Sequence, residues 1–111
     1  MNARSQFFKI FILLFSFTLW SSFAPGPPSD THTIIIQDMK FDPDELLVKK
    51  GDKVKFINQD MVIHNVTEEN KSWASPTLAP KSSWTLEVKR NLKYYCSFHP
   101  MMKGKLIVKE K

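Results

Sequence analysis

Short segments with strand character, each closed by turn-forming residues, recur along the chain beyond residue 31 and constrain its fold most strongly. The clearest is residues 84–89, where Trp84, Leu86 and Val88 alternate with polar residues, so that one face would be buried and the other solvated. Similar segments are residues 31–37, 45–49, 53–58, 93–96 and 105–109. About six to eight short strands without a helical period predict an all-β protein, either a sandwich or a barrel.

Polar and turn-forming residues separate these strands. Residues 38–43 contain two aspartates and end at Pro43, and such residues favour a turn. Residues 68–80 are mostly polar and include Pro76 and Pro80. Because proline cannot donate a hydrogen bond to a sheet, we expect a loop or an irregular edge there.

The amino-terminal residues have the layout of a targeting segment. Arg4 and Lys9 precede a largely apolar run over residues 10–20, and residues 22–24 resemble a small-x-small cleavage site. This pattern predicts a signal peptide over residues 1–24 and therefore a periplasmic or otherwise exported protein. An uncleaved membrane anchor is the alternative, since a span needs about 20 apolar residues. Residues 25–31 are proline-rich and predict a linker, which leaves residues 32–111 as one folded domain.

The single cysteine and the charge balance narrow the possible functions. Small exported domains commonly rely on disulfides, but Cys96 has no second cysteine to pair with. It must be a free thiol, part of an intermolecular bridge, or a metal ligand.

The formal net charge is +5, and the lysines are spread singly along the strands without the clustered stripe that binds nucleic acid. We therefore expect no nucleic-acid partner. The protein is also expected to be a monomer.

Residues 94–105 read Tyr-Tyr-Cys-Ser-Phe-His-Pro-Met-Met-Lys-Gly-Lys and contain three kinds of metal donor. Cys96, His99, Met101 and Met102 offer a thiolate, an imidazole and thioethers between two predicted strands. Soft sulfur donors combined with imidazole favour copper, and two histidines, one cysteine and a weak axial methionine form a blue-copper site. The second histidine must come from another part of the chain, where His32 and His64 are the candidates.

The same residues resemble the carboxy-terminal ligand loop of the cupredoxins, which are small type 1 copper proteins. Cys-x-x-His-x-x-Met is preceded by Tyr-x-Cys and followed by Lys-Gly-Lys and a short apolar strand. The loop is most similar to that of the amicyanin type, and the plastocyanin and pseudoazurin types have a similar pattern. Residues 39–60, with Phe-Asp-Pro, Leu-x-Val-Lys-x-Gly-Asp-x-Val-x-Phe and Asn-x-Asp, resemble the amino-terminal half of the family. The resemblance covers nearly all of residues 32–109 and implies a Greek-key β-sandwich.

The resemblance also implies the ligand set of one type 1 copper ion. His64, Cys96 and His99 would bind in the plane, with Met102 weak and axial. His64 lies in His-Asn-Val after Asn-x-Asp-Met, which is similar to the first ligand segment of the amicyanin type. Met101 is expected at the exposed rim of the site.

Three further residues, Asn65, Phe98 and His32, carry expectations of their own. The residue after the first histidine ties its loop to the cysteine loop in the resembling family, so we expect the side chain of Asn65 to contact Ser97. Phe98 departs from the family pattern, in which a proline often precedes the histidine. His32 has no motif around it and is expected at the surface.

The resemblance implies an exported carrier of single electrons rather than an enzyme, with copper cycling between Cu(II) and Cu(I). A redox protein is expected to dock near His99, Pro100 and Met101, where an apolar patch would surround the exposed edge of the imidazole. A periplasmic protein that stores or delivers copper is the alternative, because its ligands could be the same. An enzyme with a Cys–His nucleophile is disfavoured, because the sequence shows no acid to orient the histidine.

Overall fold

The computed structural model describes residues 28–110, and these form eight β-strands and no helix. The predicted signal segment and the first part of the predicted linker lie outside the described residues. Residues 28–30 are exposed and irregular, and the first strand begins at Thr31. Within the described range no helix is long and apolar enough to cross a bilayer.

The strands form two four-stranded mixed sheets, which confirms the predicted all-β sandwich. They are β1 Thr31–Gln37, β2 Lys40–Asp42, β3 Glu45–Val48, β4 Lys53–Asn58, β5 Thr67–Glu68, β6 Ser83–Glu87, β7 Leu92–Cys96 and β8 His99–Val108. The first sheet has the order β2-β1-β4-β6 and the second β3-β8-β7-β5. The pairs β1–β4 and β3–β8 are parallel, and the other neighbours are antiparallel.

Two segments differ from the expectations drawn from sequence. The predicted turn over residues 38–43 contains strand β2, and the chain reverses at Asp38 and Met39 alone. Both residues have positive φ angles, 56° and 60°, a conformation that aspartate tolerates better than most residues. The last strand begins at His99 rather than at Lys105, because its first residue pairs back onto Cys96.

The core lies between the two sheets and is built from alternate residues of the strands. Three aromatic rings meet edge to face at its centre, with centroids 4.8 Å apart for Phe41–Tyr94 and 5.4 Å for Phe56–Tyr94. Burial, with a smaller contribution from the Asp44 carboxylate, raises the pKa of the Tyr94 hydroxyl far above its ordinary value. Trp84 and Leu86 pack against this core, and Val88 is fully buried within it, which confirms the alternation predicted for residues 84–89.

Tyr94 also explains a glycine in the facing strand. Gly104 is its partner across β7 and β8, and a Cβ atom at that position would lie 2.3 Å from the Tyr94 hydroxyl oxygen. The tyrosine ring therefore occupies the space that any larger residue would need. Tyr94 and Gly104 therefore pack closely across β7 and β8, two residues before Cys96 along β7.

Candidate metal centre

Three side chains that could bind a metal meet at one end of the sandwich. Sγ of Cys96 lies 3.7 Å from Nδ1 of His64 and 3.7 Å from Nδ1 of His99. The ligand atoms of all three residues lie within 4.8 Å of one another. His64 and Cys96 have no solvent exposure, and His99 is half-buried. The structure thus brings together three of the four residues implied by the resemblance, from positions up to 35 residues apart in sequence.

A tight turn between β7 and β8 sets the positions of Cys96 and His99. These two residues are partners in the ladder, and only Ser97 and Phe98 lie between them. The register then shifts, so that Tyr95 pairs with Lys103 and the three residues that follow His99 have no partner. This irregularity is a β-bulge, a feature that re-aims side chains at the end of a sheet.

His64 reaches the site from the connection between β4 and β5. Its backbone forms an isolated bridge with Leu78, with N···O distances of 3.2 and 2.8 Å. The side-chain amide nitrogen of the buried Asn58 donates to the backbone carbonyl oxygens of Val62 and Leu78, each at 2.9 Å. These bonds hold an irregular segment in place, because buried backbone groups require partners. The predicted loop at residues 68–80 is confirmed as largely irregular, with Leu78 as its contact to His64.

Asp60 is a site residue that the sequence analysis missed. Its Oδ2 lies 2.8 Å from Nε2 of His64 and accepts from the Met39 amide at 3.0 Å, while Oδ1 accepts from the Asp38 amide at 2.7 Å. Desolvation opposes ionisation, but the bonds from Met39, His64 and Asp38 outweigh it and lower the pKa of Asp60. No acid to orient the histidine was evident beside Cys96 and His99 in the sequence, and Asp60 contacts His64 rather than His99. A sequence signal existed in the Asn-x-Asp motif four residues before His64.

The contact predicted between Asn65 and Ser97 is confirmed. The Asn65 amide nitrogen donates to Oγ of Ser97 at 2.7 Å, and the Ser97 amide donates back to Oδ1 of Asn65 at 2.8 Å. These two bonds join the segment that follows His64 to the turn that follows Cys96. Contacts of this kind fix the orientation of metal ligands.

The two methionines beside His99 have opposite environments. Met102 is 4% exposed, whereas Met101 is 90% exposed. Met101 thus lies at the surface, as expected for a rim residue, and Phe98 is also exposed. The buried position of Met102, three residues beyond His99, is compatible with the axial role implied by the resemblance.

His32 is not near this cluster. It lies at the start of β1, where it pairs with Val54. The metal centre is near the opposite end of β1, where Ile36 pairs with Asn58. Its Nε2 lies 2.8 Å from the buried carboxylate of Asp52. His32 is therefore half-buried and paired rather than a free surface residue, because Asp52 needs its hydrogen bonds where water cannot reach it.

The two sulfur–nitrogen distances match those around a trigonal metal ion, and the ligand nitrogens of the two histidines lie within 4.8 Å of each other. Bonds of about 2.3 Å to sulfur and about 2.0 Å to nitrogen, at about 120° to each other, separate sulfur from nitrogen by about 3.7 Å. The sulfur–nitrogen distances in the cluster are the same, 3.7 Å for each histidine. Two imidazoles, a thiolate and a thioether are the donors that type 1 copper prefers, and Met102 offers a buried thioether three residues beyond His99 in sequence. The residues present therefore fit a copper ion.

Eight strands in two mixed sheets, with a Cys–His₂ donor cluster at one end, define a small metal-binding β-sandwich protein. The family model described as a cupredoxin-like domain matches residues 9–108. The chain therefore belongs to the cupredoxin-like family, and the predicted resemblance is confirmed.

Its relatives include several amicyanins. Amicyanin from Paracoccus denitrificans is 30% identical over 96 residues, which cover 79% of this chain and 73% of the relative. Amicyanin-alpha from Methylorubrum extorquens is 33% identical over 90 residues, covering 73% of this chain and 74% of the relative. The similarity to the amicyanin type that the ligand loop indicated is therefore confirmed.

Solved structures with the same fold include copper proteins. A Cu(I) form of an amicyanin variant has a TM-score of 0.66 and 27% identity, covering 80% of this chain and 88% of that one. A purple cupredoxin from Nitrosopumilus maritimus has a TM-score of 0.64 and 28% identity, covering 70% of this chain and 99% of that one.

Proposed function

We propose that this protein is an exported type 1 copper protein that carries one electron at a time by cycling between Cu(II) and Cu(I). The observation that carries the proposal is the pair of 3.7 Å distances from Cys96 Sγ to the Nδ1 atoms of His64 and His99. A sulfur at this distance from two imidazole nitrogens suits the donor set of type 1 copper. The relatives that are named amicyanins and the Cu(I) amicyanin structure support the same function.

In this proposal His64, Cys96 and His99 are the in-plane ligands and Met102 is the weak axial ligand. Cys96 binds as the thiolate and each histidine as the neutral ring, so that loading with copper releases the thiol proton. The bound copper supplies the one-electron couple. The chain supplies fixed donors, because the bonds of Asn65 to Ser97 and of Asp60 to His64 restrain both ligand segments.

The proposed docking surface is the apolar rim around His99. Phe98 and Met101 are exposed next to this histidine, with fractions of 44% and 90%. Met61, Val62 and Ile63, which precede His64, are exposed as well. A redox partner that covers Pro100 and Met101 would come close to the half-buried ring of His99, which gives the electron a short path.

The surroundings of the domain are also part of the proposal. The sequence pattern over residues 1–24 supports export through a signal peptide, and export supports a periplasmic or other extracytoplasmic location. We propose that the protein acts as a monomer and has no enzymatic activity. Asp60, His64 and Cys96 do form an acid–histidine–thiol chain, but the thiol is fully buried and a second imidazole faces it. A substrate would therefore have no access to the sulfur.

The alternative is a protein that stores or delivers copper, which the exposed Met61 and Met101 favour. To distinguish the two functions, the copper-loaded protein is reduced and reoxidised repeatedly with a competing Cu(I) chelator present. An electron carrier retains its copper and its visible spectrum through many cycles. If the chelator removes copper on the first reduction, the delivery function replaces the one proposed here.

A further inference from the structure

The protein contains two aspartate–histidine pairs that are built in the same way. The carboxylate of Asp52 accepts from the amides of Asp30 and Lys49 and from the ring of His32, at 2.8–3.0 Å. The carboxylate of Asp60 likewise accepts from two backbone amides and from Nε2 of His64. The first pair lies at the far end of the sandwich and the second at the metal centre. Only the second is in contact with a proposed ligand.

Asp60 determines which nitrogen of His64 carries the proton. An ionised carboxylate can only accept hydrogen bonds, so Nε2 must donate. Nδ1, which faces the Cys96 sulfur at 3.7 Å, then presents a lone pair. A neutral His64 ring bonded to Asp60 in this way has the tautomer that binds a metal. His99 lacks this restraint, since among the described residues no hydrogen bond is made to its Nε2.

The β1–β2 turn holds Asp60 itself in position. The positive φ angles of Asp38 and Met39 turn both of their amides toward the carboxylate. Successive amides that point to one spot form an anion-binding concavity. In addition, the Asp60 amide donates to Oδ1 of Asn58 at 2.9 Å. A rotation of the carboxylate would break bonds to the turn, so the restraint on His64 is firm.

We propose that Asp60 is a positioning residue of the metal centre, which orients His64 through Nε2 and lowers the reduction potential of the bound copper. This inference rests on the proposed function. A carboxylate bound to the distal ring nitrogen makes an imidazole a stronger donor, and its negative charge favours the more positive ion. Both effects stabilise Cu(II) relative to Cu(I). Each of them therefore lowers the reduction potential.

The test compares the copper-loaded wild type with Asp60→Asn, which keeps the shape of the side chain and removes its charge. Voltammetry should give a higher potential for the variant, and competition with a Cu(II) chelator should show an affinity about 10- to 100-fold weaker. A potential equal to that of the wild type would overturn the proposal.

Asp52→Asn is the matched control. It disrupts an equivalent set of bonds but lies at the other end of β1. It should lower the unfolding temperature and leave the potential unchanged. If both variants shift the potential equally, Asp60 acts only through general stability and the proposal fails.

A measurement on the copper-free wild type separates this proposal from the proposed function. Long-range ¹H–¹⁵N correlations of the imidazoles should show His64 with its proton on Nε2, whether or not the protein binds copper. A proton found mainly on Nδ1 would overturn the role of Asp60. If the tautomer is as expected but copper gives no thiolate charge-transfer band, the proposed function fails while Asp60 still orients His64.

Discussion

The three side chains of the cluster are restrained to different degrees. Cys96 ends a strand and His64 is pinned by its bridge to Leu78 and by Asp60. His99 begins a strand and is half-buried. A ligand that is held on two sides reaches the metal at little entropic cost, whereas one held on a single side can move. Among the three proposed ligands, His99 would therefore be the one whose ring moves most easily.

Removal of one ligand at a time tests the donor set. Cys96→Ser should abolish the intense thiolate-to-copper band, because no other thiol exists in the chain. His64→Ala should distort the site or remove its colour. His32→Ala is the control: it should reduce stability, since Asp52 loses a buried partner, and keep the wild-type spectrum. Loss of colour in the His32 variant with retention in the His64 variant would reverse the assignment.

The two methionines provide a second test at single positions. Replacement of Met102 by leucine should shift both the spectrum and the reduction potential, because the axial ligand tunes them. The same change at Met101, which is 90% exposed, should leave the spectrum unaltered and slow electron exchange with a partner. Absorption spectra and stopped-flow mixing report the two effects. The opposite pattern would place the axial ligand one residue earlier.

Single residues also show what the sequence could and could not predict. The proximity of Cys96 and His99 was predictable because they share one short motif, and that of Asn65 and Ser97 because the family pattern pairs them. The axial role of Met102 stays a prediction. Asp60 was missed, because the path of an irregular segment decides whether residues four apart in sequence meet. His32 was expected at the surface, and its hydrogen bond to Asp52 was not foreseen. Its bond to Asp52 depends on the pairing of β1 with β4, which no local pattern reveals.

The strands β7 and β8 form the support of the centre. The strand predicted over residues 93–96 ends at Cys96, as β7 does. The sequence did not predict that β8 begins at His99, because Pro100 and the exposed Met101 do not read as a strand. The turn at Ser97 and Phe98 pairs the two ligands before the bulge interrupts the ladder. Strand boundaries of this kind depend on pairing rather than on local preference.

Gly104→Ala tests this support. Its Cβ would lie 2.3 Å from the Tyr94 hydroxyl, so the ring must move, and we expect a loss of about 1–3 kcal/mol in the free energy of unfolding. Gly51→Ala is the comparison. A Cβ atom there would meet no atom within 4 Å, and the only cost is the strain of placing alanine at a positive φ of 94°. Chemical denaturation measures both. Only Gly104→Ala should also alter the copper spectrum, and an unaltered spectrum would show that β7 and β8 do not transmit the disturbance.

The two sheets enclose a single core, and a charged pair links the long loop to it. Arg90 donates to both oxygens of the buried Glu68 carboxylate, at 2.7 and 2.9 Å. These bonds, together with one from Ser72, outweigh desolvation and lower the pKa of Glu68. A carboxyl whose pKa is lowered by folding stabilises the protein above its unfolded-state pKa. That contribution is lost as the pH falls through the folded-state pKa.

The acid stability of the copper-free protein should therefore depend on Glu68. Denaturation of the wild type should become steadily easier below about pH 4.5, the region where an unfolded glutamate titrates. Glu68→Gln should be less stable near neutral pH and lose less stability on acidification. Glu69→Gln, at the exposed neighbouring position, should retain the wild-type dependence. Parallel curves for all three proteins would show that Glu68 contributes nothing to acid sensitivity.

From the fold and the donor cluster together, we interpret the cluster at the end of the sandwich as a type 1 copper site. The most direct test is to add Cu(II) to the purified metal-free protein and record its visible and electron paramagnetic resonance spectra. One equivalent should produce an intense thiolate-to-copper band and the small copper hyperfine splitting of a type 1 site, and both should disappear on reduction and return on oxidation. A pale complex with an ordinary large splitting, or no binding at all, would contradict the account.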